Sequence, residues 1–218
     1  MTSAPPAAAQ GLNQPQDAAL YTVSYVEVAP SAAATAARLL QELAQTVRKD
    51  EGNQRFEILK RIAPENQFLV VAIWKDAKAY EAHVATAPAK DFRKQIKPNL
   101  ISPIDDRLHS GMAITGAPIK SGPEAVYVVT HVDVPTPKKD DCISALNALV
   151  AESRKEEGAL RFEVFAQISR PNHFSVVEVW RDQSAYDAHI TAAHTRAFRE
   201  LLTPMSGALY DERLYRAL

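Results

Sequence analysis

Four side chains able to carry a proton, His131, Glu178, His189 and His194, lie in the second half of the chain beside Trp180, Tyr186 and Phe198. An imidazole accepts and returns a proton near neutral pH, and a nearby carboxylate orients or tunes it. The three aromatic residues are suited to walling a small planar molecule, the tyrosine adding one hydroxyl for a substrate oxygen. Such a set deprotonates a phenol, or moves a proton beside a ketone. His189 and His194 are five residues apart, which on one continuous helix places them about 140° around the axis, too divergent to grip one metal as an i, i+4 pair does. The expectation is therefore no metal.

The same chain carries a built-in comparison. It contains itself twice in one ungapped register displaced by 106 positions: Tyr21 falls on Tyr127, Gly52 on Gly158, Trp74 on Trp180, His83 on His189, Phe92 on Phe198 and Arg107 on Arg213. A repeat of this length matches one small domain rather than a solenoid unit. Where the second copy has His131, Glu178 and His194, the first has Tyr25, Ala72 and Pro88. The unshared residues mark the expected working pocket, so the second copy is expected to be active and the first a degenerate support. Pro88 also bears on His194. Proline favours the first turn of a helix, so the position of His194 is expected at a helix N-terminus, whose positive end favours the neutral, proton-accepting imidazole.

Each residue also has a plainer reading. Glu178 lies two before Trp180 on the same side of a strand, and a buried carboxylate there needs a partner, with Arg161, Arg213 and His131 as candidates. His131, in an opening strand, reads first as a satisfied core or edge histidine, and His189 and His194 also read as partly exposed ones. RFE, present in both copies, puts Arg and Glu on one strand face and Phe on the other, the pattern of a salt-linked sheet face.

The elements that position these residues follow from patterning. Each copy opens with a β-rich segment (YTVSYVEV, VYVVTHVDV), then a Pro break, then an apolar stripe at helical spacing, Cys142, Leu146, Leu149, Val150 and Ser153 in copy two. Gly52 or Gly158 suits the left-handed turn after that helix. Two strand-like runs follow, then a helix capped by Asp76 or Asp182, a further helical piece with Phe92 or Phe198, and a closing strand. The order is βαββαβ, so the fold class is α+β: two ferredoxin-like repeats packed sheet to sheet within one chain. The expected organisation is a disordered tail at 1–19, a first domain at 20–112, a linker at 113–124 and a second domain at 125–218.

Bulk properties exclude several classes. The 218 residues carry a net charge of −1 with no Lys/Arg block, which removes the footprint of a nucleic-acid binder. Cys142 is the single cysteine, so neither an intrachain disulfide nor a cysteine zinc cluster forms. No run resembles a secretory signal or a membrane span, and a cytoplasmic location with no membrane partner is expected.

The segments EEGALRFEVF and FSVVEVWRDQSAYDAHITAAHTRAF, with DEGNQRFEIL and FLVVAIWKDAKAYEAHVATAPAKDF in copy one, resemble the antibiotic biosynthesis monooxygenase family of the dimeric α+β barrel superfamily. That resemblance implies that the two ferredoxin-like repeats form an intramolecular dimeric α+β barrel, and it implies small enzymes oxygenating quinols and polyphenols with O₂ and no cofactor, beside isomerases of a phosphorylated signal and haem-degrading relatives. The haem-degrading members' iron ligand falls where Arg93 and Arg199 stand. The polyketide-oxidising members' Asn falls on Val70 and Val176. Paired histidines, as in copy two, are shared with quinol monooxygenase-like and isomerase-like members. The leading expectation is a cofactor-independent monooxygenase acting on a quinol or polyphenol-like small aromatic and O₂. A hydroxy-ketone isomerase using the same base and a non-catalytic ligand-binding barrel are the alternatives, each as an internal pseudo-dimer open to further homo-oligomerisation.

Overall fold

The computed structural model describes residues 18–115 and 119–218. Nearly all of the expected tail, and part of the expected linker, lie outside the described residues. The first repeat comprises β1 (Leu20–Glu27), α1 (Ala33–Val47), β2 (Asn53–Arg61), β3 (Gln67–Trp74), α2 (Ala77–Ala85), α3 (Ala87–Ile96) and β4 (Asp105–Ala113). The second comprises β5 (Val126–Asp133), α4 (Lys139–Ser153), β6 (Ala159–Gln167), β7 (His173–Trp180), α5 (Gln183–Thr191), α6 (Ala193–Leu202) and β8 (Asp211–Ala217). The expected βαββαβ order is present twice, with each second helical region split in two.

All eight strands close into one antiparallel barrel in the order β1-β3-β2-β8-β5-β7-β6-β4. Each repeat's last strand hydrogen-bonds to its own first strand and to the other repeat, β4 to β6 and β8 to β2. The two sheets therefore do more than face each other, because their free edges are joined and no unpaired edge is left.

Strand alternation sorts side chains between two compartments. Inside the barrel lie Tyr21, Val23, Leu59, Leu69, Val71, Tyr127, Val129, Phe165, Val177, Val179 and Tyr215. Outside, each repeat packs its helices on its own half of the sheet. In α1 the residues Ala36, Leu39, Leu40, Leu43, Ala44 and Val47 recur at helical spacing and are all buried, a fully buried leucine contributing roughly 2 kcal/mol. The expected stripe of α4 is likewise buried from Cys142 to Ser153.

Two local expectations are refined. RFE does form ion pairs, but across the barrel between repeats. Arg55 binds Glu163 (2.5 and 3.1 Å) and Arg161 binds Glu57 (2.6 and 2.9 Å), both through paired N–H groups. A bulge at Asn53/Arg55 and its twin at Ala159/Arg161 mark where each strand brings its arginine to the barrel face. The glycines do not close the helices, which end at Arg48 and Arg154. Among the described residues only Gly158 has positive φ, at 88°, in the turn entering β6, where it lies against α5.

Candidate functional site

On the outer face of the second repeat, Asp182 caps α5 by accepting from the Ala185 N–H at 2.9 Å. The chain breaks helical geometry at Ala192 (φ −64°, ψ 150°), and α6 starts afresh. His189 ends one helix and His194 begins the next. Because the helix is not continuous, the 140° argument fails and the two imidazoles converge: His189 Nδ1 is 2.6 Å and His194 Nε2 2.9 Å from the same Glu156 Oε1. Their nitrogens and the carboxylate lie within 4.8 Å of one another, spacing compatible with a metal, yet each contact is a formed hydrogen bond.

Glu156 was not singled out from sequence. The available signal was its register with Asp50, since His83 Nδ1 meets Asp50 Oδ2 at 2.9 Å in the first repeat. The dyad is duplicated, and so is the ring beneath it. His189 stacks on Trp180 with centroids 4.5 Å apart and His83 on Trp74 at 4.6 Å. Burial outweighs the pull of Glu156 and holds His189 below the ordinary histidine range.

Glu178 finds none of its three expected partners. It sits opposite Val128 on the helix-covered face, whereas His131 sits opposite Ser175, Arg161 opposite Val179 and Arg213 opposite Val129, all facing the barrel interior. The sheet itself separates them. Glu178 Oε2 instead accepts from Trp180 Nε1 at 2.9 Å and lies 3.7 Å from His189 Nε2. Burial pushes its carboxyl up to about 8, so it is mostly protonated at neutral pH. His131 belongs to a different group at the barrel end, with Asp133, His173 and Arg107.

Tyr186 and Phe198 lie with Glu178 and His189, but as filling. Tyr186 donates its hydroxyl to Glu212, which also accepts from Arg199 at 3.1 Å. Glu178, Tyr186, His189 and Phe198 are only 4, 6, 3 and 3% exposed. The hollow expected here occurs in the other repeat. A cavity of about 60 Å³ lies between sheet and helices of the first half, bordered by Trp74, Tyr80, His83, Phe92, Arg93 and Asp106. Ala89, which borders the cavity, replaces Thr195, so less side chain fills that space. Asp106 accepts from Ser24 at 2.6 Å and from Arg93 at 2.8 Å. Burial, with the Asp106 charge, raises the Tyr80 hydroxyl above its ordinary range.

Residues 19–95 and 125–201 each match the antibiotic biosynthesis monooxygenase family. The chain belongs to that family. This tandem member is similar to the "Putative monooxygenase YcnE" of Bacillus subtilis, 29% identical over 82 residues, which are 36% of this chain and 86% of that one. An uncharacterized Synechocystis protein, sll1783, is 26% identical over 98 residues, 45% of this chain and 67% of its own. Among solved structures, a "Putative monooxygenase" of Fusobacterium nucleatum superposes with a TM-score of 0.83 at 17% identity, covering 93% of this chain and 94% of its own. That likeness concerns the fold, and it spans both repeats. Among the described residues, no helix is long and apolar enough to cross a membrane.

Proposed function

We propose that this family member is a cofactor-independent monooxygenase of a small quinol or related electron-rich phenol, and that the first-repeat cavity receives the substrate. The observation that carries the reading is the coincidence of unfilled space with an oriented base. His83 lines the cavity, and its Nδ1 is held by Asp50 at 2.9 Å. A ring nitrogen donating to a carboxylate leaves Nε2 as the proton acceptor. In this reading His83 takes the phenolic proton, Asp50 stabilises the imidazolium, and Trp74, Tyr80 and Phe92 keep water from the ring. The substrate anion then supplies electrons to O₂, one oxygen atom entering the product and the other leaving as water. About 60 Å³ admits a few waters or the leading edge of one ring. Entry of a whole substrate therefore requires the half-buried Phe92 and Tyr80 to move. The second repeat, closed around Glu178, His189 and His194, is the partner domain that completes the barrel.

The test is oxygen uptake and product mass with a hydroquinone, for the wild type, His83→Ala and His194→Ala. Loss of turnover in His83→Ala with most activity kept in His194→Ala supports the reading. The reverse pattern would move the site to the second repeat. Turnover without O₂ refutes oxygenation, and unchanged product mass with solvent deuterium incorporated would make the protein an isomerase.

A further inference from the structure

At one end of the barrel, on the face away from both helical layers, His131, Asp133 and His173 meet. We propose that these three residues form a binding site for a divalent first-row transition ion of the Zn²⁺ type. Asp133 Oδ1 is 3.0 Å from His131 Nε2 and 2.7 Å from His173 Nδ1, and one ligand atom from each residue lies within 4.8 Å of the others. Two imidazoles and one carboxylate are a common donor set for such ions, which usually complete their shell with water.

These close approaches are not hydrogen bonds. Asp133 Oδ1 and His173 Nδ1 are both buried without a hydrogen-bond partner among the described residues, while His131 turns its Nε2 toward the same Asp133 oxygen. Polar atoms brought together but left unpaired are costly for a fold to keep. An ion between them would satisfy the Asp133 oxygen and the His173 Nδ1 lone pair at once, with His131 Nε2 as the third ligand. The Glu156, His189 and His194 group differs here, since its contacts are hydrogen bonds that need no ion.

The repeat provides an independent observation. The three matching positions in the first half are Tyr25, Glu27 and Gln67, and there Gln67 Nε2 donates to Glu27 Oε1 at 2.8 Å, a self-satisfied pair. All three positions differ in the second half: Tyr25 and Gln67 give way to histidines, and the carboxylate is kept on a shorter side chain. The scaffold is rigid, because Asp133 and His173 are direct partners on the β5–β7 ladder and His131 precedes Asp133 by two on the same face.

Charge and size are compatible. Arg107 and Arg213 stand nearby, but each is held by its own aspartate, Asp105 at 2.7 Å and Asp211 at 2.6 Å, which leaves Asp133 to the ion. Arg107 Nη1 also meets His131 Nε2 at 3.0 Å, and this contact is given up when the ion enters. Bonds of about 2.0–2.2 Å in a tetrahedral shell set ligand atoms about 3.3 Å apart, so the two approaches to Asp133, at 3.0 and 2.7 Å, open by about 0.3 and 0.6 Å.

The experiment titrates the full chain with Co²⁺ and reads visible absorption, then displaces it with Zn²⁺ and follows the thermal midpoint. One Co²⁺ per chain is expected, with a midpoint raised by Zn²⁺. Binding is lost in the variant His131→Tyr, Asp133→Glu, His173→Gln, which restores the first repeat's own residues, and kept in His194→Pro. No uptake by the wild type, uptake surviving the triple change, or uptake lost in His194→Pro would each overturn the proposal. Should the triple variant fail to fold, His173→Gln alone is read by the same criteria.

Discussion

Glu178 makes the pH dependence of stability a direct probe of the second repeat. Its folded carboxyl titrates at about 8 against an ordinary 4.5, because burial disfavours the charged form more than the Trp180 N–H favours it. Below pH 4.5 the folded and unfolded chains both hold the proton, and Glu178 has no effect. Between 4.5 and 8 the unfolded chain releases a proton that the folded chain keeps, so stability falls as pH rises, at about 1.4 kcal/mol per pH unit. From pH 5 to 8 the loss is on the order of 4 kcal/mol, a large share of a typical domain's stability. Glu178→Gln removes the titration and keeps an oxygen for Trp180. The variant is expected to lie within about 1 kcal/mol of wild type at pH 5 and to be about 3–4 kcal/mol more stable at pH 8. Urea unfolding at four pH values, followed by circular dichroism, reads the difference between the two curves and cancels every other titrating group. Parallel curves, or a gap that widens toward acid, would show Glu178 to be ionised in the fold and refute the reasoning.

Arg55→Ala leaves the fully buried Glu163 without its paired donor and is expected to cost about 3 kcal/mol, whereas Arg38→Ala, at a solvent-exposed pair with Glu42, costs under about 0.5 kcal/mol; chemical denaturation compares them. Gly158→Ala places a Cβ 2.6 Å from that of Ala185 at a φ of 88°, and is expected to cost about 1–2 kcal/mol, while Gly122→Ala, with open space around it, is nearly neutral in thermal melts. Phe198→Ala empties a packed position and is expected to cost about 3–5 kcal/mol. Phe92→Ala borders space that already exists, so it costs less and widens the cavity, a difference visible in paired melts and in uptake of a hydroquinone.

The duplication, the βαββαβ order and the covering of one repeat's sheet by the other's were legible in the residues alone, because they follow from register, alternation and periodicity, while the barrel entered through the family resemblance. Asp182 as a cap, the buried stripe of α4 and the pairing of Arg with Glu in RFE were legible for the same reason. What the linear pattern does not contain is which face of a closed sheet a strand residue meets and which half packs its interior completely. His131 and Glu178 looked like neighbours in one pocket, yet ladder parity puts them on opposite sides of a barrel wall. His189 and His194 looked divergent, yet a single extended residue at Ala192 turns both onto Glu156. The position of this cavity was decided only in three dimensions: Glu178, Tyr186, His189, Thr195 and Phe198 pack closely in the second repeat, while the smaller Ala89 borders the space in the first.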